Sequence, residues 1–282
     1  MSEIQLFVCC HKESPVPDEP LLVPIQAGAA LADRLFPGYV HDDGGENISE
    51  RNRSYCELTA HYWAWKNSTA DYIGFFHYRR YLYPDASARL PYRVEAEPTE
   101  ETLGKLGFAR FPALIEQYDM IVPKGEEMHV SVREHYASAS EHRREDLEKL
   151  ERIIREKSPD YAGAMERYFS GTLHYFGNIL IMRREIFDAY CAWIFPLLEE
   201  FDRQTDLSGR TAQEKRVDGY LAERLLGVYY TRRRDELRTL ELPRVHFLPG
   251  KQGAKTRLLN ALLPPGSRRR SLVKGLRAAV RR

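Results

Sequence analysis

Apolar positions fall into short runs separated by longer amphipathic stretches. Ile4–Cys10 (IQLFVCC) is an uninterrupted apolar run that predicts a buried strand ending in the polar pair His11-Lys12. A stretch with Pro15, Pro17, Pro20 and Pro24 follows, and His41–Asn47 (HDDGGEN) reads as a loop. Asn47 with Glu50 three residues on approaches a capping box. Arg51, Tyr55, Leu58, Tyr62 and Trp65 then recur on one helical face, predicting a helix to about Asn67. Tyr72–Phe76 predicts a second strand, which runs into His77-Tyr78-Arg79-Arg80-Tyr81. Pro84–Thr102 reads as a polar loop, Tyr118–Pro123 as a third strand, and Val132 to about Lys157 as a charged helical region. Tyr175–Met182 (YFGNILIM) predicts a fourth strand, Arg184–Phe201 and Asp218–Tyr230 helices, and Arg244–Leu248 a last strand. Strands alternating with helices predict an α/β fold with a mostly parallel central sheet flanked by helices.

Composition narrows the class. Of 282 residues, 43% are hydrophobic and 29% charged, which suits a globular chain with a sizeable core. Mean hydropathy is −0.52 and no run of about 18 apolar residues occurs, so no spanning helix is expected. The start, MSEIQLFVCCHKE, lacks the pattern of a cleaved secretory signal. The cysteines Cys9, Cys10, Cys56 and Cys191 have no CxxC spacing, so neither a zinc site nor a disulfide framework is expected. A reducing cytoplasm fits. Adjacent Cys9 and Cys10 should point to opposite faces of their strand.

The net charge of +1 hides an asymmetry. Eleven Lys/Arg and no Asp or Glu lie in 244–282, leaving −10 on residues 1–243. The expected organisation is a domain over 1–249 and a basic amphipathic tail over 250–282. In the tail, Leu272, Leu276 and Val280 share one helical face and Lys274, Arg277 and Arg281 another. Leu258, Leu259, Leu262 and Leu263 form a second apolar cluster near Lys255 and Arg257. Such a segment suits peripheral docking on an anionic membrane surface, here the inner face of the cell membrane. A disordered basic tail is the plainer reading, and no nucleic-acid partner is expected.

Ligands of open α/β sheets bind beyond the carboxyl ends of the strands. Two such ends are polar here: His11-Lys12 and His77–Tyr81. The HYRRY run offers two guanidinium forks suited to phosphate oxygens, unless it merely pairs with surface carboxylates. Arg51 at a helix start could meet an anion or simply be a capped, partly exposed arginine. Asp42, Asp43 and Glu46 could hold a hard cation, or form a solvated turn. The chain contains no Asp-x-Asp. Asp218 and Glu223 are candidate general bases or ordinary helix-start acids. His142 and Asp146 are spaced for a surface ion pair. Gly177-Asn178 interrupts an apolar strand, which marks a bulge or the close approach of a ligand.

The segment NISERNRSYCELTAHYWAWKNSTADYIGFFHYRRYL resembles the signature of a bacterial glycosyltransferase family long catalogued as a domain of unknown function, found in capsule, exopolysaccharide and lipopolysaccharide gene clusters. LLVPIQAGAAL, YDMIVP, VREHYASASEHRREDL, YFGNILIMRREIFDAYCAWIFPLLEE and DGYLAERLLGVYY support it, and the resemblance covers roughly residues 4 to 235. It implies a GT-A-like nucleotide-sugar-binding fold and a hexosyltransferase-type reaction. A sugar would pass from a nucleotide-sugar donor, expected to be UDP-linked, to a hydroxyl of a growing surface polysaccharide or lipid-linked glycan. It places His11, Lys12, Asn47, Arg51, Asn52, His77, Arg79, Arg80 and Asn178 at the donor, and Asp218 or Glu223 as the base, with Asp218 favoured because it sits at the predicted helix start, where a side chain can face a cleft. His77-Tyr78-Arg79-Arg80 stands where many GT-A enzymes carry Asp-x-Asp, so no metal cofactor is expected. A metal-dependent variant using Asp42, Asp43 or Glu46, and a non-catalytic glycan- or nucleotide-binding subunit, are the alternatives.

Overall fold

The computed structural model describes residues 2–248. The expected tail, 250–282, lies outside the described residues.

Among the described residues the strands are β1 Ile4–Cys10, β2 Leu22–Gln26, β3 Val40–His41, β4 Tyr72–His77, β5 Arg80–Leu82, β6 Tyr92–Glu95, β7 Met120–Pro123, β8 Glu126–Glu127, β9 Leu173–His174, β10 Leu180–Arg183, β11 Thr239–Leu242 and β12 Arg244–Phe247. The α-helices are α1 Asn52–Tyr55, α2 Leu58–Asn67, α3 Glu100–Gly104, α4 Phe111–Ile115, α5 Val132–Ser138, α6 Arg144–Lys157, α7 Pro159–Ser170, α8 Arg184–Arg203 and α9 Val217–Arg233. The main sheet runs β11-β7-β10-β4-β1-β2-β3. Every neighbouring pair in it is parallel except those made by β10, which runs against both β4 and β7. The hairpin strand β5 leaves the end of β4 and pairs with β12, which also pairs with β6.

The apolar runs explain the layering. β1 and β4 are covered on both faces, so they read as continuous hydrophobic runs rather than alternating ones. Phe7, Cys9, Ile73 and Phe75 face the larger core, built with α2, α8 and α9. Leu6, Val8, Cys10 and Phe76 face a second core with Phe108 and Phe111. Cys9 and Cys10 thus lie in different cores, as the two-residue period of a strand requires.

Several elements depart from the sequence pattern. The helix expected over 47–67 is broken into Ser49–Arg51, a short 3-10 turn, then α1 and α2. Cys56 between α1 and α2 adopts φ 52°, where a helix cannot continue. The charged stretch 132–157 is two helices, because Ala139 turns to extended backbone after α5. The YFGNILIM strand begins only at Leu180, since Gly177 sits at φ +82°. β2 forms inside the proline-rich stretch, with Pro24 opposite Val8, and β6 inside the stretch expected to be loop. α7, with Pro159 in its first turn, carries no signal that the hydrophobic pattern singled out.

Candidate active site

The carboxyl ends of β1, β2, β3 and β4 open on one edge, and residues 175–178 reach it because β10 enters the sheet there.

The acidic loop after β3 is a structural anchor. Asp42 is fully buried and accepts hydrogen bonds from the Gly28 and Ala29 amides, at 2.8 and 2.9 Å, and from the Ser49 hydroxyl. Glu46 is taken by Tyr62 and Lys66, at 3.1 and 3.2 Å. No three His, Cys, Asp or Glu side chains converge on a metal-sized point among the described residues. The residues present therefore do not fit the cation that Asp42, Asp43 and Glu46 were considered for.

The NISERN segment is likewise engaged within the protein. Asn47 does not cap a helix in the expected way: its Nδ2 donates to the Asp43 and Gly45 carbonyls, and its Oδ1 accepts from Ser49 N. Arg51 turns away from the strand ends to pair with Asp202 at the end of α8, lying 4.4 Å over the Tyr55 ring. Asn52 donates to the Cys56 carbonyl at 2.7 Å and to Thr59 Oγ1 at 3.0 Å. Its side chain fills the space beside Gly28, where an added Cβ would lie 2.5 Å from Asn52 Cγ. Gly28, at φ +75°, is required both for its backbone and for that approach.

Cations collect at the ends of β1 and β4. The chain turns after His77, so that His77 pairs with Arg80 across the β4–β5 hairpin and Arg79 occupies the turn. His11 lies 6.1 Å from His77 and edge-on to Tyr78 at 5.1 Å, ring centre to ring centre. Arg79 and Lys12 lie over the Tyr78 ring at 5.1 and 5.5 Å. Among the described residues neither Arg79 nor Arg80 pairs with a carboxylate. Burial pushes His77 down to about 2, with Arg80, His11, Arg79 and Arg216 adding repulsion. Burial first, then Arg79, Arg216 and Lys12, also lower His11. Both imidazoles are neutral at physiological pH and able to donate one hydrogen bond each.

Acids lie near these cations, with Glu57 felt by His11 and Arg80 felt by Glu223. Asn178, almost fully buried, donates to Glu57 Oε1 at 2.8 Å and to the Gly219 carbonyl at 3.1 Å. Glu223 on α9 lies 2.7 Å from Arg224 Nη1. Burial raises the Glu223 carboxyl; the nearby Glu57 adds to this, while Arg224 and Arg80 oppose it. Asp218 is placed differently from the expectation. It is fully buried, accepts from the Ser54 hydroxyl, and faces Asp202 rather than the strand ends. Its carboxyl is raised well above the ordinary aspartate range by burial and by Asp202. A general base needs a path to its proton, and Asp218 has none.

Beyond Glu223 the wall is aromatic. Arg224 lies 5.3 Å from the Tyr136 ring and 5.9 Å from Phe176. His142 stacks on Tyr136 at 4.2 Å and does not pair with Asp146, which Arg210 holds with two hydrogen bonds of 2.6 and 2.7 Å. Glu57 and Arg216 belong to this edge but not to the sequence-based candidate set. Glu57 lies in the signature motif, yet only the break at Cys56 turns it toward the strand ends.

The chain belongs to the DUF4422 family, described as a domain of unknown function, which matches residues 5–234. It is similar to the solved apo structure of the WbbM bifunctional glycosyltransferase, with a TM-score of 0.81 and 29% sequence identity over 89% of this chain. The chain spans about half, 47%, of that protein. No curated protein matches it significantly. The α/β architecture expected from the sequence, a mostly parallel sheet flanked by helices, is the one it shares with that glycosyltransferase.

Proposed function

We propose that this chain is a glycosyltransferase of hexosyltransferase type, using a UDP-linked sugar and acting on a hydroxyl of a bacterial surface glycan or its lipid-linked precursor. The observation that carries the reading is the placement of Arg79 and Arg80, without carboxylate partners among the described residues, at the carboxyl end of β4, with Arg80 close enough for its charge to be felt by Glu223. A structural arginine pair would meet carboxylates. A pair reserved for a ligand presents its donors outward, and guanidinium forks match diphosphate oxygens.

In the reaction, the acceptor oxygen forms a bond to the anomeric carbon as the bond from that carbon to the diphosphate oxygen breaks. The nucleoside diphosphate leaves with the electron pair, and Arg79, Arg80 and Lys12 offset the charge it gains. His11 and His77, both neutral, donate hydrogen bonds. The hydroxyl proton passes to Glu223, whose carboxyl burial raises above the ordinary glutamate value, strengthening it as a base. No divalent cation takes part in this scheme. Residues 250–282 are proposed to hold the enzyme against an anionic membrane surface.

Purified protein incubated with UDP-hexoses, a glycan acceptor and a chelator tests the reading. Acceptor-dependent release of UDP is expected. Binding of nucleotide sugar with no release under any acceptor or metal condition would favour the non-catalytic binding subunit.

A further inference from the structure

Cys56 is one of two non-glycine residues with positive φ among the described residues, at φ 52° and ψ −129°. Backbone of this kind costs about 1–3 kcal/mol and persists where its surroundings hold it in place. Here the surroundings are specific. Asn52, one turn earlier, donates to the Cys56 carbonyl. Arg216 Nε approaches Cys56 Sγ at 3.3 Å. Gly219 packs so close that a Cβ there would lie 3.0 Å from the same sulfur. The result is a sharp break between α1 and α2, with Glu57 as the first residue after it.

What the break delivers is one carboxylate held through a single oxygen by Asn178. Asn178 spends both Nδ2 hydrogens on fixing it, one on Glu57 Oε1 and one on the Gly219 carbonyl. Asn178 Oδ1 is buried without a partner among the described residues. The segment before β10, the start of α2 and the first turn of α9 are thereby tied around Glu57. Its other oxygen, Oε2, makes no hydrogen bond among the described residues, and the side chain meets no cation within ion-pair distance there. Glu57 raises Cys9 and Glu223, and it is felt by His11, so it stands between the end of β1 and α9. An acid kept only to satisfy Asn178 would need neither the strained residue before it nor a second oxygen left without a partner among the described residues.

We propose that Glu57 is the sugar-facing residue of the donor site, its Oε2 accepting hydrogen bonds from hydroxyls of the transferred hexose, with Asn178 as its positioning residue. The proposal rests on the glycosyltransferase reading. A carboxylate acceptor selects donors that present hydroxyls at that point and rejects deoxy analogues, because it would be left desolvated and unpaired.

The test separates sugar from nucleotide. Calorimetry on the full chain measures affinity for UDP and for the tightest-binding member of a panel of UDP-hexoses and their monodeoxy analogues. In Glu57→Gln, UDP affinity is expected to stay within about 2-fold, while the added affinity contributed by the hexose falls by about 10-fold or more. Asn178→Ala is expected to lose less of that increment. At least one deoxy analogue should bind the parent protein about 10-fold more weakly, and Glu57→Gln should erase that difference. Parallel loss of UDP and UDP-hexose affinity, or an unchanged deoxy penalty in Glu57→Gln, would overturn the assignment while leaving the glycosyltransferase reading intact. A parent protein that binds neither UDP nor any UDP-hexose would overturn both.

Discussion

Glu223 and Arg224 stand side by side on α9, with Arg224 Nη1 2.7 Å from Glu223 Oε2. Arg224 is buried, so the pair is a tuned carboxylate rather than a solvated surface bridge. Burial raises the Glu223 carboxyl and Arg224 pulls it part of the way back. A base must be deprotonated to act, so turnover rises with pH through the Glu223 pKa. The acid limb of kcat is expected above the ordinary glutamate value of 4.5. Arg224→Met should move that limb further up, and Glu223→Gln should reduce kcat by about 10²–10⁴-fold with little change in donor affinity. A pH–rate profile of the three proteins checks this.

Arg79→Ala and Arg80→Ala should each weaken UDP-hexose binding by about 1.5–3 kcal/mol, the range for hydrogen bonds to charged groups. Their melting temperatures should stay close to that of the parent, because neither guanidinium pairs with a carboxylate among the described residues. Lysine at either position should still impair turnover, since the bidentate fork is lost. Melting and calorimetry on the same preparations decide the matter; a large loss of stability with normal affinity would make the cluster structural.

Asp42→Ala should lower stability sharply and leave the response to chelator unchanged. The substitution orphans the Gly28 and Ala29 amides, and each orphaned buried donor costs about 1–3 kcal/mol. Urea denaturation with and without EDTA reads both quantities. A chelator-sensitive parent with an insensitive Asp42→Ala variant would return the loop to a metal-binding role.

Asp218→Asn should retain most turnover, in contrast to Glu223→Gln. Its carboxyl is raised in the folded chain, so the folded state holds a proton that the unfolded state releases. Stability from this group is therefore full below the unfolded value of about 3.8 and falls as pH rises toward the folded one. Asparagine removes that titration, so the loss of stability between pH 5 and pH 8 should be smaller in the variant, by at most about 1.4 kcal/mol per pH unit. Denaturation curves at several pH values test the sign.

The full chain should co-sediment with vesicles containing anionic lipid, and a chain ending at Pro249 should do so much less. Each Lys or Arg near such a surface contributes on the order of 1 kcal/mol, and the effect should fade with added salt. Equal sedimentation of the two would leave residues 250–282 without a membrane role.

The sheet was legible where burial on both faces made the pattern redundant: β1 and β4 stand where their apolar runs place them, and so does α9. It was not legible where backbone geometry decides. Nothing in RSYCEL announces a left-handed cysteine, and a 3.6-residue period drawn across it converts two helices into one. Arg51 fits the period because it does share a face with Tyr55, but α8 supplies Asp202 from 151 residues away, a contact that no local pattern contains. Asp218 and Glu223 look equivalent in sequence. Their separation by burial comes from Ser54 and Asp202 on one side and the open edge on the other.

Among the main-sheet strands, β10 alone runs opposite to its neighbours, and this gives the cleft two independent sources of chain. The parallel strands leave the sheet at that edge, so their loops extend outward there, and the connection from β3 to β4 returns through α1 and α2. The segment ending at Asn178 arrives at the same edge from outside the sheet and then descends into it. That segment is anchored on its own account, with the buried Tyr175 donating to Glu241 and the Phe176 carbonyl accepting from Arg244, so the place of Asn178 is set apart from the register of Leu180 against Phe75. For anyone grafting a new donor preference onto this scaffold, that segment and the hairpin carrying Arg79 are both parts to leave untouched.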